Sequence, residues 1–122
     1  MNRLKKRTCQ FLVLVTTAGL LTGCGGGTPK LEDALKKTAA YEQETVTSPA
    51  SDTLGGEWTV IALARSGETV DENYFEKYRV NLEKRVKDQE GVLSDNRYTE
   101  YSRAVMALKS IGKDPTDIGG YD

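Results

Sequence analysis

The sequence predicts an all-α protein made of consecutive antiparallel helical hairpins. After residue 28, apolar residues recur at three- and four-residue steps, as they do along one side of a helix. Capping residues, Pro and Gly stand where these segments begin and end. Two nine-residue segments also align without gaps, with four identical residues, and the glycines that end them are 45 residues apart. A spacing of this size is typical of repeated helical hairpins. Chance similarity between two short apolar helices is the alternative to a repeat.

Composition argues against several classes of protein. The chain has 122 residues, with 17 Lys and Arg, 18 Asp and Glu, two Cys and no His. The first 23 residues contain four of the cations and no acid, so the rest of the chain has a net charge of −5. This charge disfavours a nucleic-acid-binding protein. Without His, almost no side chains remain for a zinc site, a Cys-His pair or a Ser-His-Asp triad.

Residues 1–23 are predicted to be a signal peptide. A cationic stretch, Arg3–Arg7, precedes an apolar run from Phe11 to Leu21 that is about half as long as a membrane-spanning helix. The sequence that follows, Leu21-Thr22-Gly23-Cys24, resembles the lipobox of bacterial lipoproteins. This resemblance implies cleavage between Gly23 and Cys24 and lipidation of the Cys24 thiol, with palmitate among the acyl groups.

The lipobox resemblance also predicts where the protein is located. Acyl chains on Cys24 anchor a protein stably to the extracytoplasmic face of the cell membrane. Residues 24–28 are then the lipidated cysteine and a flexible Gly-rich tether. The alternative is a secretory signal that is cut elsewhere and leaves Cys24 unmodified. An unpaired thiol is a liability in an oxidising compartment, which favours the lipoprotein.

The first predicted helix follows the tether. It begins at Thr28-Pro29, since Pro suits the first position of a helix, and it continues to about Val46. Its predicted apolar stripe contains Leu31, Ala34, Leu35, Thr38 and Tyr41. Residues 47–52 form a loop by composition.

The second predicted helix spans Trp58 to Ser66 and ends at Gly67. Its residues are apolar on nearly every side, which indicates a helix that is buried all round. A buried strand is the alternative, because Val60 and Ile61 are β-branched. The Ala content and the Ser-Gly ending favour the helix.

Two further helices are predicted in the second half of the chain. Asp71 caps the third, which stops at Gly91, and its apolar stripe contains Tyr74, Phe75, Tyr78, Leu82 and Val86. The fourth begins near Thr99 and ends at Gly112. Residues 59–67 of the second helix align without gaps to residues 104–112 of the fourth. The Val, Ala, Leu and Gly are identical in the two copies, and Met replaces Ile.

Four blocks of the mature sequence together resemble bacterial α/α-toroid proteins: Gly55–Trp58, Ala62–Gly67, Tyr98–Ala104 and Ile111–Thr116. Those proteins carry prenyltransferase- and squalene-cyclase-like repeats and are common as exported proteins of Gram-positive anaerobes. The resemblance covers about residues 31–121. It implies that residues 29–122 are the first hairpins of an α/α toroid whose remaining repeats are absent from this chain.

The resemblance implies a non-catalytic module that binds a small ligand, with a corrinoid as the leading candidate. The superfamily includes vitamin B12 carriers of the transcobalamin type, zinc-dependent prenyltransferases and terpene cyclases with an aspartate-rich motif. Only the carriers need no residue that this sequence lacks, so neither a metal nor another cofactor is required. One alternative is a terpenoid-cyclase or prenyltransferase-like enzyme whose active site lies in the absent repeats. The other is a cell-surface scaffold that binds a protein partner.

Four residues are candidates for contact with a ligand. Glu57 and Glu100 precede aromatic residues at the starts of the two related helices, and paired carboxylates can bind a cation or act as acid and base. Favourable interaction of these first-turn glutamates with the helix dipole is the alternative. Trp58 and Tyr101 can line a ligand cavity, and packing between hairpins is the alternative for both.

Overall fold

The computed structural model describes residues 28–53 and 55–122, and these residues form four α-helices and no β-strand. The helices are α1 (Thr28–Thr45), α2 (Gly56–Arg65), α3 (Glu72–Asp88) and α4 (Tyr98–Ser110). The all-α prediction is therefore confirmed, and the strand alternative for Trp58 to Ser66 is wrong. The predicted signal peptide, the Cys24 lipidation site and the glycines of the tether lie outside the described residues.

The ends of the helices agree closely with the sequence signals. The Asp71 side chain caps α3 by accepting a hydrogen bond from the Asn73 N–H at 2.9 Å. The two glycines of the repeat, Gly67 and Gly112, both follow the C-cap residue of a helix and have φ angles of 76° and 72°. Glycine adopts this left-handed conformation without the steric cost of a Cβ. The two repeat copies therefore end in the same way.

Residues 34–122 form one unit, whose core lies between α2, α3 and α4. α2 packs mainly against α4 and also contacts α3. The predicted stripe of α3 is confirmed, since Tyr74, Tyr78, Leu82 and Val86 are buried and Phe75 packs against the core from a half-buried position. The other buried apolar residues are Ala39, Val60, Leu63, Leu93, Ala104, Ala107, Leu108 and Ile118.

The predicted apolar stripe of α1 does not face the core. Leu31, Leu35 and Tyr41 are exposed, as are Ala34 and Thr38. The buried side of this helix instead carries Ala39, followed by the half-buried Glu42 and Gln43, and Val46 directly after the helix is half-buried as well. Steps of three and four residues describe several adjacent rows on a helix, and tertiary contacts select the row that packs. One such contact is the hydrogen bond that the Thr59 hydroxyl of α2 donates to the Glu42 carboxylate at 3.3 Å.

The prediction that α2 is buried on all sides is also wrong. Val60 and Leu63 are fully or almost fully buried, whereas Trp58, Ala62 and Arg65 are exposed. The described residues cover only part of the α2 surface. The apolar side chains on the remaining part therefore face solvent. An apolar helix with one open side indicates a surface that is suited to contact something further.

Candidate functional site

The first part of the candidate site is a loop that closes over the start of α2. A Cβ atom added to Gly56 would lie 1.9 Å from the Ala50 carbonyl oxygen, so only glycine allows this close approach. Asp52 adopts a left-handed conformation with φ of 60°, which aspartate tolerates better than most residues. Its backbone N–H donates a hydrogen bond to Glu57 Oε1 at 3.3 Å. The Glu57 side chain thus joins the loop to the first turn of α2.

Arg85 on α3 is the centre of the polar network beneath this loop. Its guanidinium contacts the Glu100 carboxylate at 3.3 Å and the Asp52 carboxylate at 3.5 Å. It also donates hydrogen bonds to the Ser51 hydroxyl at 3.1 Å and to the Leu93 carbonyl at 3.2 Å. One side chain therefore connects α3 to the loop before α2, to the segment after α3 and to α4.

Glu100 lies between two guanidinium groups. Arg97, which directly precedes α4, contacts Glu100 Oε1 at 2.6 Å and Asp52 Oδ1 at 3.9 Å. Glu100 is almost completely buried, and the two guanidinium groups supply the opposite charge that a buried carboxylate needs. The network of Asp52, Arg85, Arg97 and Glu100 holds the starts of α2 and α4 close to the end of α3.

The structure separates the four predicted site residues into three environments. Glu57 and Glu100 are both buried, and Asp52 links them through its backbone and its two arginine contacts. Tyr101 is half-buried, and its hydroxyl donates to the Ser94 carbonyl at 3.3 Å. Trp58 is exposed, so core packing within the described residues does not account for it. The four residues do not converge on one pocket.

The burial of the two glutamates decides what they can do chemically. Both lie in the first turn of a helix, where a carboxylate interacts favourably with the helix dipole. The Glu100 carboxylate faces two cations, and the Glu57 carboxylate accepts a backbone hydrogen bond. These contacts occupy the carboxylates with internal partners, and this arrangement favours a structural role for the pair.

Two tyrosines on α3 bring hydroxyl groups into the interior. Tyr74 and Tyr78 are buried, and neither hydroxyl has a hydrogen-bond partner among the described residues. Burial raises the pKa of Tyr74 to about 12, and the nearby negative charge of Glu42 adds to this effect. Burial raises the pKa of Tyr78 even further, with a contribution from Glu57 that the positive charge of Arg103 opposes.

An apolar cavity that is partly open to solvent lies between α3, α4 and the turn at residues 118–121. Its volume is about 110 Å³. The turn forms one wall and is closed by two hydrogen bonds between Ile118 and Tyr121, at 3.1 and 3.2 Å. The buried apolar residues in its lining are Leu82, Val86, Leu93, Ala104, Leu108 and Ile118. The cavity can hold a small apolar group but offers few polar partners.

Neither the network nor the cavity was predicted from the sequence. Arg85 carried a usable signal, because it stands three residues after Leu82 and seven after Tyr78 on the buried side of α3. A cation at such a position indicates a buried ion pair. Asp52 and the cavity carried no comparable signal, since both depend on residues that are distant in sequence.

Two features are not found in residues 28–53 and 55–122. These residues contain no group of three or more Cys, Asp or Glu side chains arranged to hold a metal ion. None of their helices combines the length and the hydropathy needed to cross a membrane. Comparison of the whole chain with protein-family models, with curated proteins and with solved structures finds no match.

We predict that Arg85→Met strongly destabilises the protein. The substitution keeps most of the side-chain volume but leaves the buried Glu100 carboxylate with one cation instead of two. We expect a loss of about 3 kcal/mol in the free energy of unfolding, measured by urea denaturation. Lys84→Met is the matched control, because Lys84 forms an exposed ion pair with Asp88 on the same helix. Equal effects of the two substitutions would contradict the central role of Arg85.

We predict that the buried tyrosines reduce stability at high pH. A phenol whose pKa is raised in the folded state contributes its full stabilisation below the ordinary tyrosine pKa of about 10 and loses it as the pH rises further. Denaturation curves should therefore show falling stability between about pH 10 and 12, and Tyr78→Phe should make this fall smaller. Ultraviolet titration should show that two of the six tyrosines ionise later than the others. Simultaneous ionisation of all six would contradict the burial.

Proposed function

We propose that this chain is a lipid-anchored binding module on the extracytoplasmic face of the membrane, and that it takes up a small apolar ligand without covalent chemistry. The observation that carries the proposal is the apolar cavity between α3, α4 and the turn at residues 118–121. The engagement of Glu57 and Glu100 in the internal network supports a non-catalytic role.

The size and lining of the cavity suggest the class of ligand. A cavity of about 150 Å³ lined by aliphatic and aromatic side chains binds benzene or xenon in a well-studied lysozyme variant. The present cavity, at about 110 Å³, suits a group of similar or smaller size, such as the end of a branched aliphatic chain or a single small ring. A corrinoid is much larger. The corrinoid hypothesis, which rests on the toroid resemblance, therefore needs a site to which further repeats contribute.

The anchoring proposal rests on the first 24 residues. The cationic stretch, the short apolar run and the Leu21-Thr22-Gly23-Cys24 sequence occur in the order that bacterial lipoprotein signals require. Two acyl chains give stable membrane attachment, whereas one chain gives only marginal binding. A lipid anchor would place the binding module at the membrane surface, where apolar molecules are concentrated.

We predict that Cys24 is required for lipidation. Cells that express the chain are grown with labelled palmitate. The label should enter the chain without substitutions and the Cys9→Ser variant, but not the Cys24→Ser variant. The reason is that only the thiol after the lipobox is acylated, while Cys9 leaves with the signal peptide. Labelling of Cys24→Ser, or a mature mass without acyl groups, would overturn the anchoring proposal.

We predict that filling the cavity abolishes uptake of an apolar probe. Benzene should shift the methyl resonances of Leu108 and Ile118 saturably, with a dissociation constant of about 1 mM, since so small a ligand gains only a few kcal/mol. Ala104→Leu extends a buried side chain into the cavity and should remove the shifts. Ala62→Leu is the control, because it adds the same atoms at an exposed position of α2 and should leave the benzene-induced shifts unchanged. It shows whether the shifts come only from benzene that has partitioned into the detergent used to keep the protein in solution. Equal shifts in both variants would contradict a binding cavity.

A further inference from the structure

The first helix carries an uncharged, largely apolar stripe that is exposed. We call it the α1 stripe, and it consists of Leu31, Ala34, Leu35, Thr38 and Tyr41. Leu31 is 71% exposed and Tyr41 is 63% exposed, whereas Ala39 on the buried side of the same helix is 5% exposed. Since a helix turns about 100° per residue, the stripe is about 120° wide. An apolar face of that width on a helix is usually buried against a partner.

The charged residues of α1 lie outside the stripe. Lys30 and Lys37 lie nearest to the edge that Tyr41 forms, and the acidic Glu32 and Asp33 lie farther round the helix. The residue after the stripe, Glu42, accepts the hydrogen bond from Thr59 of α2. A helix with an uncharged centre and lysines at its edge suits a lipid surface, because the lysine stems cover apolar surface while the amines reach the headgroups.

The position of the stripe in the sequence identifies the surface that it meets. Only three residues separate Cys24 from Thr28, and four steps from Cα to Cα span at most about 14 Å. Acyl chains on Cys24 would therefore keep the start of α1 within about 14 Å of the anchored residue. The helix has 18 residues and is about 27 Å long. It can stand upright on its anchored end or lie flat, and only the flat orientation brings the whole stripe to the lipid.

We propose that α1 lies flat on the membrane surface, with the α1 stripe inserted among the lipid headgroups. This inference rests on the proposed anchor at Cys24. It does not depend on the ligand cavity, because α1 contributes no residue to the cavity lining. The stripe has only three large side chains and would bind a membrane weakly by itself. The anchor raises its effective concentration at the lipid to about 1 mM or more, so a weak second contact forms.

The proposal can be tested with a fluorescent label on either side of α1. Full-length chains with Thr38→Cys or Ala40→Cys are expressed in cells, purified after processing, labelled with a thiol-reactive dye and placed in vesicles of phosphatidylcholine and phosphatidylglycerol. Both positions are exposed, and they are two residues apart along the helix but about 160° apart around it. They are therefore about equally far from the anchor. Acylation blocks the Cys24 thiol and Cys9 leaves with the signal peptide, so the chain without an added cysteine gives the background.

We expect a lipid with a nitroxide on its acyl chain to quench the label at residue 38 about threefold more than the label at residue 40, since the thickness of the helix separates them. Equal quenching in a chain whose mass shows the acyl groups would overturn this proposal and leave the anchor intact. A label at residue 38 that is shielded from aqueous iodide but not quenched by the lipid would show a protein partner instead, and would also overturn it. A mass without acyl groups would overturn both proposals.

A charge placed on the stripe gives a second test. Adding Leu31→Glu to the Thr38→Cys chain should lower quenching by the lipid about twofold, because inserting a carboxylate among lipids is costly. Leu31 is highly exposed, so the substitution removes no core contact. The control is Ala40→Glu in the same chain, which adds the same charge on the opposite side and should leave the quenching unchanged. Equal losses would indicate repulsion from the vesicle and overturn the proposal, and circular dichroism checks that each variant retains its helices.

Discussion

The half-buried guanidinium of Arg85 is the constraint on which the arrangement of the helices depends. It comes from α3 and is held by Ser51 and Asp52 before α2, by the Leu93 carbonyl and by Glu100 of α4. Removing two opposite charges from water costs desolvation free energy. This cost is offset only when the geometry gives each charge its ionic and hydrogen-bonding partners. Small displacements of the loop, of α3 or of α4 would each leave a charge unpaired. Apolar packing alone would allow the loop, α3 and α4 to slide past one another, whereas the network specifies one arrangement of them.

The network also distinguishes the side chains that hold the fold together from those that remain available for interaction. The acidic residues that are most suggestive in the sequence are used to hold the starts of two helices, with Arg97 completing the charge balance around Glu100. Two kinds of feature are left for interaction: the apolar cavity, and the exposed apolar side chains of α1, α2 and α4. Binding by shape and apolar area is consistent with this division, and a module of this kind needs no reactive side chain. The buried hydroxyls of Tyr74 and Tyr78, which have no hydrogen-bond partner among the described residues, are further polar groups of the interior.

The repeat illustrates how one sequence motif acquires two environments. The identical Leu63 and Leu108 are both buried, and the identical Gly67 and Gly112 both end their helices. The identical valines differ, because Val60 lies under a neighbouring element and Val105 does not. Repeated helices bury their surfaces against neighbours in a stack, so the first and last members keep an uncovered side.

The sequence by itself determined the helices, their ends and the apolar stripe of α3. These features depend on residues within a few positions of one another, such as Asp71 with Asn73 or the glycines after α2 and α4. Only the tertiary structure decided which side of α1 is buried, that Trp58 is exposed, and that Glu57 and Glu100 belong to one network through Asp52 and Arg85. The physical reason is the distance along the chain between the residues that interact. Caps and helical periodicity are local and can be recognised in the chain, whereas burial and charge pairing depend on partners that folding brings from distant positions.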